Sequence, residues 1–334
     1  MKATAGSIRA ARITDRQALL GLSRQVHDAA EGFRRSLGVP ARSAAPPRIS
    51  LAALMPSWLP LRSPSVHLVA EWEGALVGSC RAIEEPHRED WVIIELDAAD
   101  SPMASEVRFA LLRAVIEEGA QRNVARYHAA CADVPENMEL FGQLSFMAYA
   151  QEEIWYRPPA GVEAEATHSA EPLMPATPPD AWHLFDLWTH ATPPAIARIE
   201  GYGATDWESV GHEGVVPRSS LNPLLHFSDV NAWLLPDGQR VAGFAQHGAC
   251  RAGPHYLRFL VREGADGADF LRAVLVAAGG DARSAGILAP VRTYESTGRR
   301  AAAAAGFEAV GQVSMLVREV RATLRQPAMV PAVR

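Results

Sequence analysis

The sequence predicts an α/β fold (an α+β mixed sheet) present twice in tandem. Three observations carry that prediction. Short motifs recur at an offset of roughly 160 to 165 residues, about one ordinary domain. Asp15-Arg16-Gln17-Ala18-Leu19-Leu20 is echoed by Asp180-Ala181-Trp182-His183-Leu184-Phe185, Leu76-Val77-Gly78 by Arg240-Val241-Ala242-Gly243, and Leu144-Ser145-Phe146 by Ala305-Gly306-Phe307. Each half reads as antiparallel hairpins followed by a strand–helix–strand–helix–strand run. Finally, 334 residues at 48% hydrophobic content suffice for two packed cores, at a prior of about 150 residues per domain.

In the first half, Ile8 to Ile13 reads as a strand. Thr14 or Asp15 is placed to cap the following helix, where Ala18, Leu19, Leu22 and Val26 recur at helical spacing. Pro40 to Pro64 is proline-rich but holds Trp58 among apolar residues, which suits a lid or a packed loop. Val66 to Trp72 and Ala75 to Ile83 form a hairpin about Glu73-Gly74. Trp91 to Leu96 is a third strand. Ser105 to Gln121 places Val107, Leu111, Leu112, Val115 and Ile116 on one helical face. Tyr127 to Cys131 is a strand, Pro135 to Leu144 a helix opened by proline, and Ala148 to Tyr156 a strand that closes the unit.

Pro158 to Pro179 is rich in Pro, Ala, Glu and Thr without periodicity, so it reads as a linker. The predicted domains are residues 1–157 and 180–325, with the linker over 158–179. In the second half Ala181 to Thr189 is a helix. Trp233-Leu234-Leu235 and Val241 to Cys250 form a hairpin about Pro236-Asp237-Gly238. Tyr256 to Val261, Ile287 to Val291 and Val313 to Val320 are strands, and Asp269 to Ala278 and the alanine-rich Gly298 to Ala305 are helices.

Composition excludes several classes. Net charge is −6 with no basic run, which argues against nucleic acid as a partner. Lys2 is the only lysine, so Schiff-base chemistry and a phosphate-loop lysine are excluded. Cys80, Cys131 and Cys250 are far apart and lack metal-ligand spacing, and Cys80 and Cys250 in strand-like runs read as small buried hydrophobes. The N-terminus shows no secretory pattern, and no apolar run approaches the roughly 18 residues of a membrane helix. The expectation is a soluble, cytoplasmic protein, monomer or homodimer, with no nucleic-acid or membrane partner.

Asn137-Met138-Glu139-Leu140-Phe141-Gly142-Gln143-Leu144-Ser145-Phe146, and Ala302 to Phe307 followed by Val310-Gly311, are each followed by a strand. With the element order, they make the chain resemble the GNAT superfamily of N-acetyltransferases, in two tandem copies with degenerate motifs. The resemblance implies an acyl-CoA N-acyltransferase fold, with acetyl-CoA as co-substrate and a small amine of unknown identity as acceptor. It also implies a loop of pattern Arg/Gln-x-x-Gly-x-Gly/Ala that holds the cofactor pyrophosphate on backbone N–H groups. In the first half this loop falls near Met103 to Arg108, with Glu106 and Arg108 at the glycine positions. A carboxylate about 4 Å from a pyrophosphate is repelled by several kcal/mol. In the second half Arg262-Glu263-Gly264-Ala265-Asp266-Gly267 matches better, with Arg262 and Gly267 fitting and Ala265 replacing a glycine. The cofactor-binding candidates are therefore Leu260, Val261, Arg262, Gly264, Ala265 and Gly267. The same stretch also reads as an ordinary glycine-rich turn capped by Asp266.

Members of the superfamily often take a base from a carboxylate on the central strand and an acid from a tyrosine about four residues before Gly-Phe. Glu95 and Asp97 meet the first expectation in the first half, and Glu95 is the candidate base if the halves share a cleft. The tyrosine positions hold Phe141 and Ala302. Tyr294, after the strand that would flank the thioester, is the candidate acid, and His255, with His247 on a neighbouring strand, a candidate base. Thr189 to Ile196 would line the acceptor pocket, and Tyr202, Trp207 and His226 suit either a binding surface or a packed loop. The expected activity is direct N-acyl transfer, with the second half as cofactor carrier and the first as a degenerate partner. The alternative is a catalytically inactive tandem protein that binds or senses a ligand.

Overall fold

A computed structural model describes residues 6–22, 65–85, 88–159, 173–209, 218–221, 227–250, 253–279 and 286–320. Pro40 to Pro64 with Trp58, His226 and most of the 158–179 stretch lie outside them.

The first half contains β1 (Ser7–Ala10), β2 (Ser65–Trp72), β3 (Ala75–Glu84), β4 (Asp90–Ala98), α1 (Ala104–Gln121), β5 (Arg126–Ala132), α2 (Pro135–Gln143) and β6 (Met147–Arg157). The second contains β7 (Met174–Pro175), α3 (Ala181–Ala191), α4 (Pro194–Glu200), β8 (Phe227–Asp237), β9 (Arg240–Cys250), β10 (His255–Val261), α5 (Gly267–Ala277), β11 (Ile287–Arg292), α6 (Ser296–Ala304) and β12 (Glu308–Glu319). The repeat extends to single atoms. Asp15 and Asp180 each end a 3-10 turn and accept the main-chain N–H three residues earlier, of Arg12 at 2.7 Å and of Thr177 at 2.9 Å. The Glu73-Gly74 turn has both residues at positive φ, 51° and 81°, as a tight hairpin requires. Ser145 and Gly306, at φ 63° and 83°, end α2 and α6. Phe146 and Phe307 then donate their N–H groups back to the carbonyls of Phe141 and Ala302, the bond that closes a Schellman turn.

The strands form one sheet in the order β1-β2-β3-β4-β5-β12-β6-β11-β10-β9-β8-β7. Exchanging the halves reverses this order onto itself, with the dyad between β12 and β6. Each half's last strand is thus hydrogen-bonded to the other half: β12 runs antiparallel to β5, from Val313↔Ala132 to Glu319↔Arg126, and β6 antiparallel to β11, from Ile287↔Arg157 to Arg292↔Glu152. The strand near Ala148–Tyr156 was expected to close its own unit. It instead enters the other half's ladder, because alternation of residues specifies a strand and not its partner.

On one face, Leu111, Leu112, Val115 and Ile116 of α1 pack on Val66, Leu68, Cys80, Trp91 and Ile93. Phe270, Leu271 and Val274 of α5, with Ala301 of α6, do the same over Leu257, Phe259 and Val291. On the opposite face α3 packs Leu184, Leu187 and Trp188 over Leu234, Phe244 and Leu260. Helix α4 lies where a loop was expected. Pro194 starts it with φ already set, and Gly201 ends it at φ 64°. Cys80 is buried, whereas Cys131 and Cys250 are half-buried, and all three are free thiols. Among the described residues, no helix is long and apolar enough to cross a membrane.

Candidate functional site

Strand β4 places the first half's carboxylates. Trp91 and Ile93 point into the core under α1, and simple alternation would send Glu95 after them. The ladder with β3 shifts at this point: Ala82 opposes Ile93, but Arg81 opposes Glu95. Ile94 is therefore an extra, bulged residue, and it turns Glu95 and Asp97 to the opposite face. Glu95 accepts from the Ser79 hydroxyl at 3.3 Å and faces Arg81 Nε at 3.3 Å. Burial pushes the Asp97 carboxyl up to about 7, and the charge of Glu95 pushes the same way against Arg108 and Arg81.

Beside this pair the sheet opens. The parallel ladder of β4 and β5 runs from Asp90↔Arg126 to Ile93↔Ala129 and stops. Main-chain groups that β4 turns toward β5 beyond Ile93 have no ladder partner there. Helix α1 follows, its N-cap Met103 making no side-chain cap, and Glu106 in its first turn is exposed.

The equivalent place in the second half is closed. The β9–β10 ladder runs from Tyr256↔Gly248 to Val261↔Gly243 without a shift, so β10 has no bulge. Its parallel pairing with β11 ends after His255↔Ile287 and Tyr256↔Leu288. Across the gap, Glu295 accepts from Arg258 Nη1 at 2.9 Å and from the Arg292 main-chain N–H at 3.1 Å. Arg258 also donates to the Phe259 carbonyl at 2.7 Å and is 1% exposed.

The loop after β10 is satisfied internally. Arg262 is held by Asp186 at 2.8 Å. Ala265 N–H donates to the Arg262 carbonyl, Gly267 N–H to that of Ala265, and Phe270 N–H to that of Asp266. The Asp266 carboxylate caps α5 through Asp269 N–H at 3.0 Å. A Cβ on Gly267 would lie 2.8 Å from that of Ala301, so glycine here serves the contact of α5 with α6. Leu260 and Val261 are buried, and Gly264, at φ 91°, makes the turn. An open cavity of about 420 Å³ lies beside the loop, where Asp237, Glu263 and Asp266 accompany Arg262. Three carboxylates and amides turned inward make a poor cradle for a pyrophosphate.

Glu95, His255 and Tyr294 are not brought together. Strands β4 and β11 are separated by β5, β12 and β6, four spacings or about 19 Å. His255 lies at the start of β10 and pairs with His247 at 2.9 Å. Burial, and then His255, lower His247 to about 4. Burial, and then Glu295, hold the Tyr294 hydroxyl well above its ordinary range.

The polar seam between the halves has no local sequence signal. Arg88 donates to the carbonyls of Glu200 and Gly201, each at 2.6 Å, and Arg126 to that of Ile199 at 2.8 Å. These first-half guanidiniums therefore cap the C-terminus of α4. Arg218 returns to Glu85 and to His128 Nδ1, the latter at 3.1 Å. Arg292 reaches Glu200 at 2.8 Å and Glu152 at 3.4 Å. Trp207, fully buried against Trp188 and Phe244, and Tyr202 under Arg88 belong to a packed loop.

No family model and no curated protein matches the chain. Solved structures do. A "tandem GNAT protein from the clavulanic acid biosynthesis pathway" superposes with a TM-score of 0.57 at 12% identity, covering 94% of this chain and 98% of that one. A GCN5-related N-acetyltransferase from Sphaerobacter thermophilus superposes with a TM-score of 0.55 at 14% identity, covering 94% and 95%. At such identities the likeness is one of fold, and the fold is the tandem GNAT fold.

Proposed function

From the tandem GNAT fold as premise, we propose that the protein is an acyl-CoA-dependent N-acyltransferase that acylates a small amine by direct transfer, acetyl-CoA being the donor. The observation that best supports this is the carboxyl pair Glu95–Asp97, turned by the Ile94 bulge to the face beside the parting of β4 and β5. The first half is the reacting side, and the second, closed by Glu295 and capped by Asp266, is its scaffold.

The acyl-CoA would supply an activated thioester carbonyl. The residues that would hold it are those of the first turn of α1, whose amides lack a side-chain cap and where Glu106 is exposed to solvent. Asp97, ionising at about 7, takes the proton that the attacking ammonium must lose. Burial, and then the negative charge of Glu95, keep the Asp97 carboxyl basic. Main-chain N–H groups that β4 turns toward β5 beyond Ile93, where the ladder with β5 has ended, would face the oxygen on which charge develops.

A second reading, a tandem protein that binds or senses a ligand without turnover, is favoured by Phe141 and Ala302 at the tyrosine positions. Calorimetric titration with acetyl-CoA, followed by thiol release in the presence of amines, separates the two. Acyl transfer predicts saturable binding, at least tenfold weaker in Ser105→Glu, and turnover reduced about 100-fold or more in Asp97→Asn. Binding without thiol release from a broad amine panel supports the sensor. No binding at millimolar acetyl-CoA removes the acyltransferase reading.

A further inference from the structure

Three adjacent strands set three side chains in one row. His67 on β2 opposes Arg81 on β3, and Arg81 opposes Glu95 on β4. In the next row Val69, Ser79 and Asp97 are aligned in the same way. All lie on the face that carries the carboxyl pair. His67 is 7% exposed, yet among the described residues neither Nδ1 nor Nε2 has a hydrogen-bond partner, whereas Arg81 Nε is held 3.3 Å from Glu95. Burial holds the ring neutral against the pull of Glu95, so it offers one N–H donor and one bare nitrogen acceptor. Buried polar groups are ordinarily paired, and an unpaired one calls for a partner.

We propose that His67 forms the far wall of the acceptor subsite and that the acceptor is an amino alcohol, its amine at Glu95 and Asp97 and its hydroxyl bonded to the His67 ring. Two inter-strand spacings, about 10 Å, separate the ends of the row, which suits a chain of about five carbons. Arg81, between them, faces the middle of that chain. The assignment rests on the acyl-transfer reading for the identity of the reacting end, but the subsite is tested without acyl transfer.

The test is imidazole ¹H–¹⁵N NMR of the whole protein, with the His67 signals assigned by His67→Gln. The probes are 5-aminopentan-1-ol and hexylamine, of equal length and differing only in the terminal hydroxyl. A saturable shift of the His67 signals by the amino alcohol alone is expected. So is an at least tenfold loss of affinity for it in His67→Leu, with hexylamine unaffected. Equal responses to both probes, or none at tens of millimolar, overturn the proposal. A His67→Leu protein that does not fold is replaced by His67→Gln, for which partial retention of the preference is expected. Acetyl-CoA calorimetry judges the other reading separately. Acetyl-CoA binding without a His67 response sinks the subsite alone, and a His67 response without acetyl-CoA binding sinks the acyl transfer alone.

Discussion

Glu295 bridges Arg258 on β10 to the main-chain N–H of Arg292 on β11, just where the ladder between those strands has ended. Both side chains are buried. Removing one partner of such a pair typically costs about 3–5 kcal/mol, whereas replacing both by apolar groups is often close to neutral. Glu295→Ala is therefore expected to lower the urea midpoint sharply, and Arg258→Met/Glu295→Leu to recover most of the loss. A single variant as stable as the wild type would deny the bridge its role.

One acetyl-CoA per chain is expected, because the second half's loop bonds to itself. Gly267→Ala forces a Cβ against Ala301, so a stability loss of about 1–3 kcal/mol is expected, with acetyl-CoA affinity unchanged. A stoichiometry of two, or an affinity lost in this variant, would return the cofactor to the second half.

The pH profile of turnover should rise through about 7, where Asp97 ionises. Glu95→Gln removes a like charge and is expected to move that inflection to lower pH by about one unit. Asp97→Asn is expected to abolish it. An inflection untouched by either substitution would assign the titration elsewhere.

His128 and His247 are buried and held near 4, whereas an unfolded histidine titrates near 6.5. The folded state thus binds fewer protons than the unfolded one. Their contribution is fully present above about pH 6.5 and is lost as pH falls toward 4, up to about 3 kcal/mol for each. Urea unfolding from pH 7.5 to 4.5 should show this slope, reduced in His247→Gln.

Strand exchange makes the halves interdependent. Residues 1–157 alone would expose β6 and leave β5 without β12, two open edges that invite self-association. Separately expressed halves are expected to aggregate or pair with themselves, and co-expressed halves to assemble. A monomeric, cooperatively folding first half would contradict the ladder.

The legible features were those written within a few residues. The Glu73-Gly74 turn, the apolar face of α1, the helix ends before Phe146 and Phe307, and the cap at Asp266 each depend on a local pattern of side chain and φ. The 15/180 echo was equally sound, since both aspartates close the same turn. Helix α4 was missed, although Pro194 and Gly201 bracket it, because its single apolar stretch is too short to show periodicity.

By itself, then, the sequence determined the two-fold repeat, the element types apart from α4, and the presence of Glu95 and Asp97 on a central strand. Tertiary structure decided the rest. The Ile94 bulge is a property of the β3–β4 register and chooses which face those carboxylates occupy. The exchange of β6 and β12, the Arg258–Glu295 arm of the bridge and the Arg88 cap on α4 join residues from 37 to 193 positions apart. A strand's hydrogen-bonding groups are alike at every residue, so its partner is set by the packing of the whole sheet and not by the letters of the strand.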